Sequence, residues 1–275
     1  FDRICEQPEY YPTRVELGIM RHNIAPIAEA LGPRARVIEF GSGSSLKTRL
    51  LLEHLEDPAA YVPVDISREH LMNAASALVE TFPELAIRPV CADFTQPFEL
   101  PAPELDIDRN VVFFPGSTIG NFSLPDAVKL MQVMRAEAGD NGGLLIGVDL
   151  IKDRDILEPA YNDAAGVTAD FNLNLLERFN REHGADFSIE DFEHRAVFDE
   201  QHGRIEMQLV SQQSQEARIG EDRFEFDAGE YIVTEHSHKY SIEQFEEIAN
   251  DAGFVPQVRW LDDDNLFSVQ YLRAA

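Results

Sequence analysis

The sequence predicts an α/β fold built on a parallel sheet, with a second, smaller α+β lobe attached. Three observations predict it. Near-continuous apolar runs recur through residues 36–150, helical patterns separate them, and beyond residue 150 the runs shorten and begin to alternate.

The elements follow in order. RVIEF (36–40), AYVPVD (60–65), ELAIRPVCADF (84–94), NVVFFPG (110–116) and GGLLIGVDL (142–150) read as strands buried on both faces. Between them Leu46, Leu50, Leu51 and Leu55 recur at helical spacing, as do Leu71, Ala75 and Leu78. Val128, Met131 and Met134 do the same after Ser123, a cap, and Pro125. Strand, helix, strand in this repetition means parallel strands with right-handed crossovers. A long helical stretch is then expected over about 153–184, followed by antiparallel strands at 193–200, 203–211, 216–220, 223–227 and 230–235. SIEQFEEIANDAG (241–253) reads as a capped helix ending in glycine, and FVPQVRW with NLFSVQYL as a final strand pair that returns to the first sheet.

Composition narrows what the fold can do. The 275 residues, 44% hydrophobic, suffice for one large domain or two modest ones with real cores. No apolar run approaches the roughly 18 residues that span a bilayer, and FDRICEQPEYYPTR has neither a basic nor an apolar leader region. No membrane partner is expected, and the cytoplasm is the expected location. The first residue is Phe1 and not Met, so the natural start is expected upstream. Cys5 and Cys91 are too few for a disulfide framework and read as free thiols.

Asp and Glu number 50 against 23 Lys and Arg, a formal net charge of −27 that repels any phosphate backbone, so no nucleic-acid partner is expected. The lysines are Lys47, Lys129, Lys152 and Lys239, and the acidic excess is spread along the chain. Such a surface suits a salt-rich cytoplasm, with an ordinary acidic enzyme as the alternative. The oligomeric state expected is a monomer.

The first chemical motif is IEFGSGSSLKTR (38–49), where a buried strand ends in Gly41-Ser42-Gly43 and a helix follows. Glycines there admit a ligand to the backbone, and a helix start offers unpaired N–H groups. The stretch departs from GxGxxG because position 46 is Leu; a tight strand-to-helix turn without a ligand is the bland alternative. Asp65 ends the second strand, where a carboxylate can accept from both ribose hydroxyls. Asp93 ends the third, where it can accept from an exocyclic amine while Phe94 packs on a purine. Either acid alone is an ordinary solvated strand end. Glycine turn, ribose acid and adenine acid on three successive strand ends favour S-adenosylmethionine over a nicotinamide dinucleotide. The fourth strand runs into PGSTIGN, whose Gly116 can present a carbonyl and Asn121 an amide suited to a carboxylate, so this loop is expected to hold the methyl acceptor.

With these positions in hand the chain resembles the ergothioneine-pathway L-histidine Nα-methyltransferases. The resemblance runs through PEYYPTR (8–14), FGSGSSLKTRLLL (40–52), PVDIS (63–67), ADF (92–94), GSTIGN (116–121), GVDLIKD (147–153), AYNDAAGVTADFN (160–172), RIEM (204–207) and TEHSHKY (234–240), essentially the whole chain. It implies a Rossmann-like S-adenosylmethionine-dependent methyltransferase domain over 16–150 plus 241–275, and a substrate-binding lobe over 1–15 plus 151–240. It implies that L-histidine is trimethylated on its α-amine to hercynine. By the same resemblance Gly41, Lys47, Asp65, Asp93 and Phe94 contact the cofactor, and Gly116 and Asn121 serve catalysis. Asn121 and Tyr161 are placed on the substrate carboxylate, Tyr10, Glu235 and Ser237 around the imidazole, and Met207 on the wall that selects the side chain. Glu235 and Ser237 stand two apart, so one strand face presents both. Without the resemblance they would be ordinary strand-face polar residues, and Tyr161 a half-buried helix tyrosine.

Two departures bear on the site. The resemblance implies a further N-terminal segment, with a tyrosine near the amine, lying before Phe1. His236 and His238 flank Ser237, where the family has a small apolar residue between Glu235 and Ser237; both are expected on the solvent side, and no metal site is assigned. Two other classes stay open: an Nα-methyltransferase of another amino acid such as tryptophan, and a non-catalytic pathway module.

Overall fold

The computed structural model describes residues 1–42, 46–103 and 105–275, which form two compact units. One comprises Arg14–Leu150 and Tyr240–Ala275, the other Phe1–Thr13 and Ile151–Lys239. The chain opens with helices α1 (Asp2–Cys5), α2 (Tyr11–His22) and α3 (Ile24–Leu31), then alternates β1 (Ala35–Phe40), α4 (Leu46–Leu52), β2 (Ala60–Asp65), α5 (Arg68–Thr81), β3 (Val90–Cys91), β4 (Arg109–Phe114), α6 (Leu124–Ala138) and β5 (Gly143–Asp149). Next come α7 (Arg154–Tyr161), α8 (Val167–His183), β6 (Phe192–Asp199), β7 (Arg204–Ser211), β8 (Gln215–Ile219), β9 (Asp222–Phe226) and β10 (Tyr231–His238). The chain closes with α9 (Ile242–Asp251), β11 (Phe254–Leu261) and β12 (Phe267–Ala274).

In the first unit seven strands form one sheet in the order β11-β12-β5-β4-β1-β2-β3. β1 to β5 are parallel, β12 runs antiparallel to β5, and β11 antiparallel to β12. Every residue of β1 and of β5 is buried, as expected of strands covered by helices on both faces. α6 starts at Ser123, whose hydroxyl accepts from the Asp126 amide, and turns Ala127, Leu130, Met131 and Met134 into the core. α9 starts with a full capping box between Ser241 and Gln244.

In the second unit β10, β7 and β6 form an antiparallel sheet, and β8 and β9 a separate hairpin. Leu176 of α8 packs with Phe187, Phe192, Leu209 and Ala217 to make the core here. A bulge between Val233 and Glu235 resets the register, so that Glu235 lies opposite Met207 and Ser237 opposite Ile205.

The structure departs from the sequence expectations in four places. The third strand shrinks from 84–94 to Val90–Cys91, with one isolated bridge from Ile87 to Tyr61, because it is an edge strand and Pro89 offers no N–H to the ladder. The long helix over 153–184 is two helices, parted at Asn162–Gly166. Gly166 takes φ +74°, and the Asp163 carboxylate accepts from the amides of Val167 and Thr168 to start α8. The three N-terminal helices have no counterpart in the sequence reading. His238 is buried, at 5% exposure, instead of facing solvent: it lies at the end of β10, where neighbouring Ser237 is buried too, and burial lowers its pKa to about 4. Among the described residues no helix is long and apolar enough to cross a membrane.

Candidate active site

The carboxyl ends of β1 and β2, and the turn after β3, carry the groups expected to face a cofactor. Gly41 has φ +73°, which favours glycine, and its N–H donates to the Val64 carbonyl, tying the turn to β2. A Cβ there would come within 3.5 Å of the Phe94 ring, so the missing side chain leaves a shallow cradle beside an aromatic face. Phe94 is itself held by Phe40 and Phe114, at ring-centroid distances of 5.5 and 6.0 Å. Ser42 is buried, and its hydroxyl has no partner among the described residues. Gly43, expected to complete the turn, lies outside the described residues.

Both acids are held by their own local turns. Asp65 accepts from the Ser67 amide at 2.7 Å. Asp93 accepts from the Thr95 amide at 2.9 Å and from its hydroxyl at 2.6 Å; these bonds, the hydroxyl's first, hold its carboxyl below the usual range. Each carboxylate keeps further lone pairs to accept from a ligand. An adenosine bearing an amino-acid tail fits this set: hydroxyls and an exocyclic amine to donate, a flat ring for Phe94, and a polar partner for the buried Ser42 hydroxyl.

Lys47 stands one residue into α4 and is paired at 2.5 Å with Glu16, a buried carboxylate from α2. Glu16 also accepts the Gly116 N–H with both oxygens, at 2.9 and 3.0 Å. There is room for it only because residue 147 is glycine: a Cβ at that position would lie 2.0 Å from a Glu16 oxygen. The loop after β4 is therefore clamped from below, and Ser117, at φ +55°, adds a second clamp by accepting the Asp149 amide at 2.9 Å. Asn121 closes a short 3₁₀ turn (Thr118–Asn121) with its side chain exposed. Beneath the glycine turn Glu39 is fully enclosed and accepts from Thr48 at 2.7 Å and from the Tyr61 hydroxyl; burial pushes its carboxyl up to about 7.

The other unit holds the remaining expected residues. Tyr161, at the end of α7, meets Tyr10 edge to face at 5.9 Å. Its hydroxyl lies 2.9 Å from that of Ser237, and the Lys239 ammonium donates to both, at 2.8 and 2.9 Å. Burial raises the Glu235 pKa, and the Lys239 charge opposes that shift. Met207 is buried opposite Glu235. The Tyr161 backbone is anchored in turn, since its carbonyl bonds the His194 ring at 2.8 Å and His194 meets the Asn172 amide at 2.9 Å.

Within this unit Tyr10, Tyr161, Met207, Glu235 and Ser237 thus belong to one neighbourhood of aromatic, acidic and hydroxyl groups. Sequence reasoning missed two members of the arrangement. Glu16 is an acid among the buried positions Pro12, Ile19 and Met20 of α2, which is itself a signal. Lys239 is one of few lysines, on the same strand parity as Glu235 and Ser237.

Comparison with known proteins agrees in kind. The family described as "Histidine-specific methyltransferase, SAM-dependent" matches residues 1–274. The histidine N-alpha-methyltransferase of Mycolicibacterium smegmatis is 38% identical over 269 residues, covering 96% of this chain and 82% of that one. Ergothioneine biosynthesis protein 1 of Neurospora crassa is 32% identical over 94% of this chain, which spans 30% of the fungal protein. Among solved structures, the CcbJ methyltransferase of Streptomyces caelestis shares the fold at a TM-score of 0.53 and 15% identity, over 94% of this chain and 96% of that one.

Proposed function

This chain belongs to the histidine-specific, S-adenosylmethionine-dependent methyltransferases, and from that premise we propose that it methylates the α-amine of L-histidine in ergothioneine biosynthesis. S-adenosylmethionine is the cofactor; when bound it supplies an electrophilic methyl group carried on a positively charged sulfur.

The chain's own residues bind and orient. In this reading Asp65 accepts from the ribose hydroxyls and Asp93 from the adenine amine, Phe94 covers the ring, Gly41 gives it room, and Lys47 offers a cation to the amino-acid tail. In the first two transfers the Gly116 carbonyl accepts an N–H of the neutral substrate amine and so aims its lone pair. The dimethylated amine has no N–H left and is held for the third by the substrate's other contacts, among them the exposed Asn121 amide, which donates to the substrate carboxylate. The Glu16 clamp on the Gly116 N–H holds that loop in one conformation. No covalent nucleophile is needed; the amine sheds its proton to water before each transfer. The small Gly116, Ser117 and Thr118 leave space for a nitrogen that grows by methyl groups, which suits trimethylation to hercynine.

In the other unit Tyr161 donates to a carboxylate, and Glu235 and Ser237 take the two ring nitrogens, with Tyr10 and Met207 as walls. One observation carries the choice of histidine: Glu235 and Ser237 sit two apart on β10, with Tyr161 bonded to Ser237, a set of polar groups suited to a ring with two nitrogens. Mass spectrometry of histidine incubated with the protein and S-adenosylmethionine tests it, with histamine and tryptophan as controls. Mono-, di- and trimethylhistidine are expected. Equal turnover of histamine, which lacks the carboxylate, would remove the roles of Asn121 and Tyr161.

A further inference from the structure

Lys239 directly follows β10 and is 3% exposed. Its ammonium and the hydroxyls of Tyr161 and Ser237 form a closed triangle with sides of 2.8, 2.9 and 2.9 Å. An ammonium has protons and no lone pair, so in the bonds to Tyr161 and Ser237 both hydroxyl oxygens accept. Each hydroxyl has one proton, and the Tyr161–Ser237 bond consumes one of the two. A single hydroxyl proton is therefore left for a ligand. While the triangle stands, Tyr161 and Ser237 cannot both donate outward: one faces the ligand as a donor and the other as an acceptor.

A carboxylate only accepts. If Tyr161 meets the substrate carboxylate, it must keep the outward proton, and Ser237 must give its own to Tyr161. Ser237 then has one lone pair on Lys239 and one left to turn outward, so the ring nitrogen beside it must carry a hydrogen. The opposite ring nitrogen meets the Glu235 carboxylate, which also accepts. Two acceptors on one imidazole require a hydrogen on both nitrogens, and the resulting positive charge is matched by Glu235.

We propose that Lys239 is a positioning residue for the substrate: by donating to Tyr161 and Ser237 together it fixes the order of their protons, so that Tyr161 donates to the histidine carboxylate, Ser237 accepts from the ring, and histidine is bound as the imidazolium. This rests on the assignment of Tyr161, Ser237 and Glu235 to the histidine site. Lys239 itself touches neither the reacting nitrogen nor the methyl donor in this scheme; it acts through the two hydroxyls.

The direct test is nitrogen NMR of ring-15N-labelled histidine bound to the unmodified protein with S-adenosylhomocysteine at pH 8. Free histidine, with an ordinary ring pKa of about 6.5, is mostly neutral there. Both bound ring nitrogens should show the shift of a protonated imidazolium; one protonated and one bare nitrogen overturns the proposal. Kinetics give an independent reading. In Lys239→Met the histidine KM should rise roughly 10- to 150-fold, the span of a lost charged hydrogen bond, with kcat within a few-fold. Lys239→Arg, which restores donors, should recover part of that rise, as a purely space-filling role would not. An unchanged KM in folded Lys239→Met protein sinks the idea. Tyr161→Phe and Ser237→Ala separate the premise from the proposal. If neither moves the histidine KM, the site assignment has failed; if both raise it while the bound ring is neutral, only the proton order has failed.

Discussion

The strand ends proposed to face the cofactor and the cluster proposed to face the substrate around Tyr161 hold their polar groups in opposite ways. Asp65 and Asp93 are held by amides two residues further on and remain open to water. Tyr161 is held by Ser237 and Lys239, 76 and 78 positions away, and all three are buried. An exposed carboxylate loses little when its ligand is absent, because water replaces the missing donors. A buried hydroxyl or ammonium has no such fallback, so the fold must satisfy it first. Local turns make recognition cheap to encode; long-range clusters make it dependent on the whole unit being folded.

The comparison breaks most visibly where a buried cluster lies in the same unit as Asp65 and Asp93. Gly147→Ala puts a Cβ against Glu16 and should displace a buried carboxylate from Lys47 and the Gly116 amide, costing about 3–5 kcal/mol in urea unfolding. An unchanged midpoint would mean that burial is not what makes such clusters costly here. Glu39 comes next. Its carboxyl is raised to about 7 from 4.5, so its contribution to stability is full below pH 4.5 and is lost as pH rises towards 7. The fall should amount to about 3 kcal/mol over that window, and Glu39→Gln should flatten it. Equal slopes for the two proteins would show that Glu39 does not bear this proton.

Smaller and more selective is Glu235→Ala, which should weaken histidine by roughly 10- to 150-fold while leaving S-adenosylmethionine affinity alone, read by titration calorimetry of each ligand. Loss of both ligands would count against separate recognition. Smallest for the fold is Asp65→Ala: the melting temperature should hardly move, while cofactor affinity drops roughly tenfold or more. A large fall in melting temperature would contradict the contrast between local turn and buried cluster.

The same contrast explains what could be read from the sequence. β1, β2, β4 and β5 and their order along the chain were legible because buried parallel strands are continuous apolar runs, whereas β3, a two-residue edge strand, was overread. Gly41, Asp65, Asp93 and Phe94 could be named as candidates because each sits at or just beyond an apolar run's end. The break between α7 and α8 was not legible, since Asp163 acts there through bonds to the Val167 and Thr168 amides, and Gly166 through a positive φ, that no periodicity shows. Tyr10, Tyr161, Met207, Glu235 and Ser237 came only from resemblance to a family; by themselves they are polar or apolar residues on unremarked faces. Glu16 reaches the Gly116 amide across 100 positions, a pairing that local pattern cannot contain. His238 was misread because alternation assigns one face to solvent, whereas the end of β10 is covered on both faces, so that Ser237 and His238 are buried alike.

That Glu16 contact also alters the time scale of the loop after β4. The Gly116 amide belongs to no helix or strand, and an amide in such a position ordinarily trades its hydrogen with solvent quickly. Here both oxygens of a carboxylate that is 1% exposed hold it. Its release requires the α2 side chain to withdraw, which costs as much as a local opening of the core. In isotope exchange this glycine should therefore keep time with the central strands and not with the surface loops, so the segment proposed to present the amine is, on the scale of catalytic turnover, part of the rigid frame.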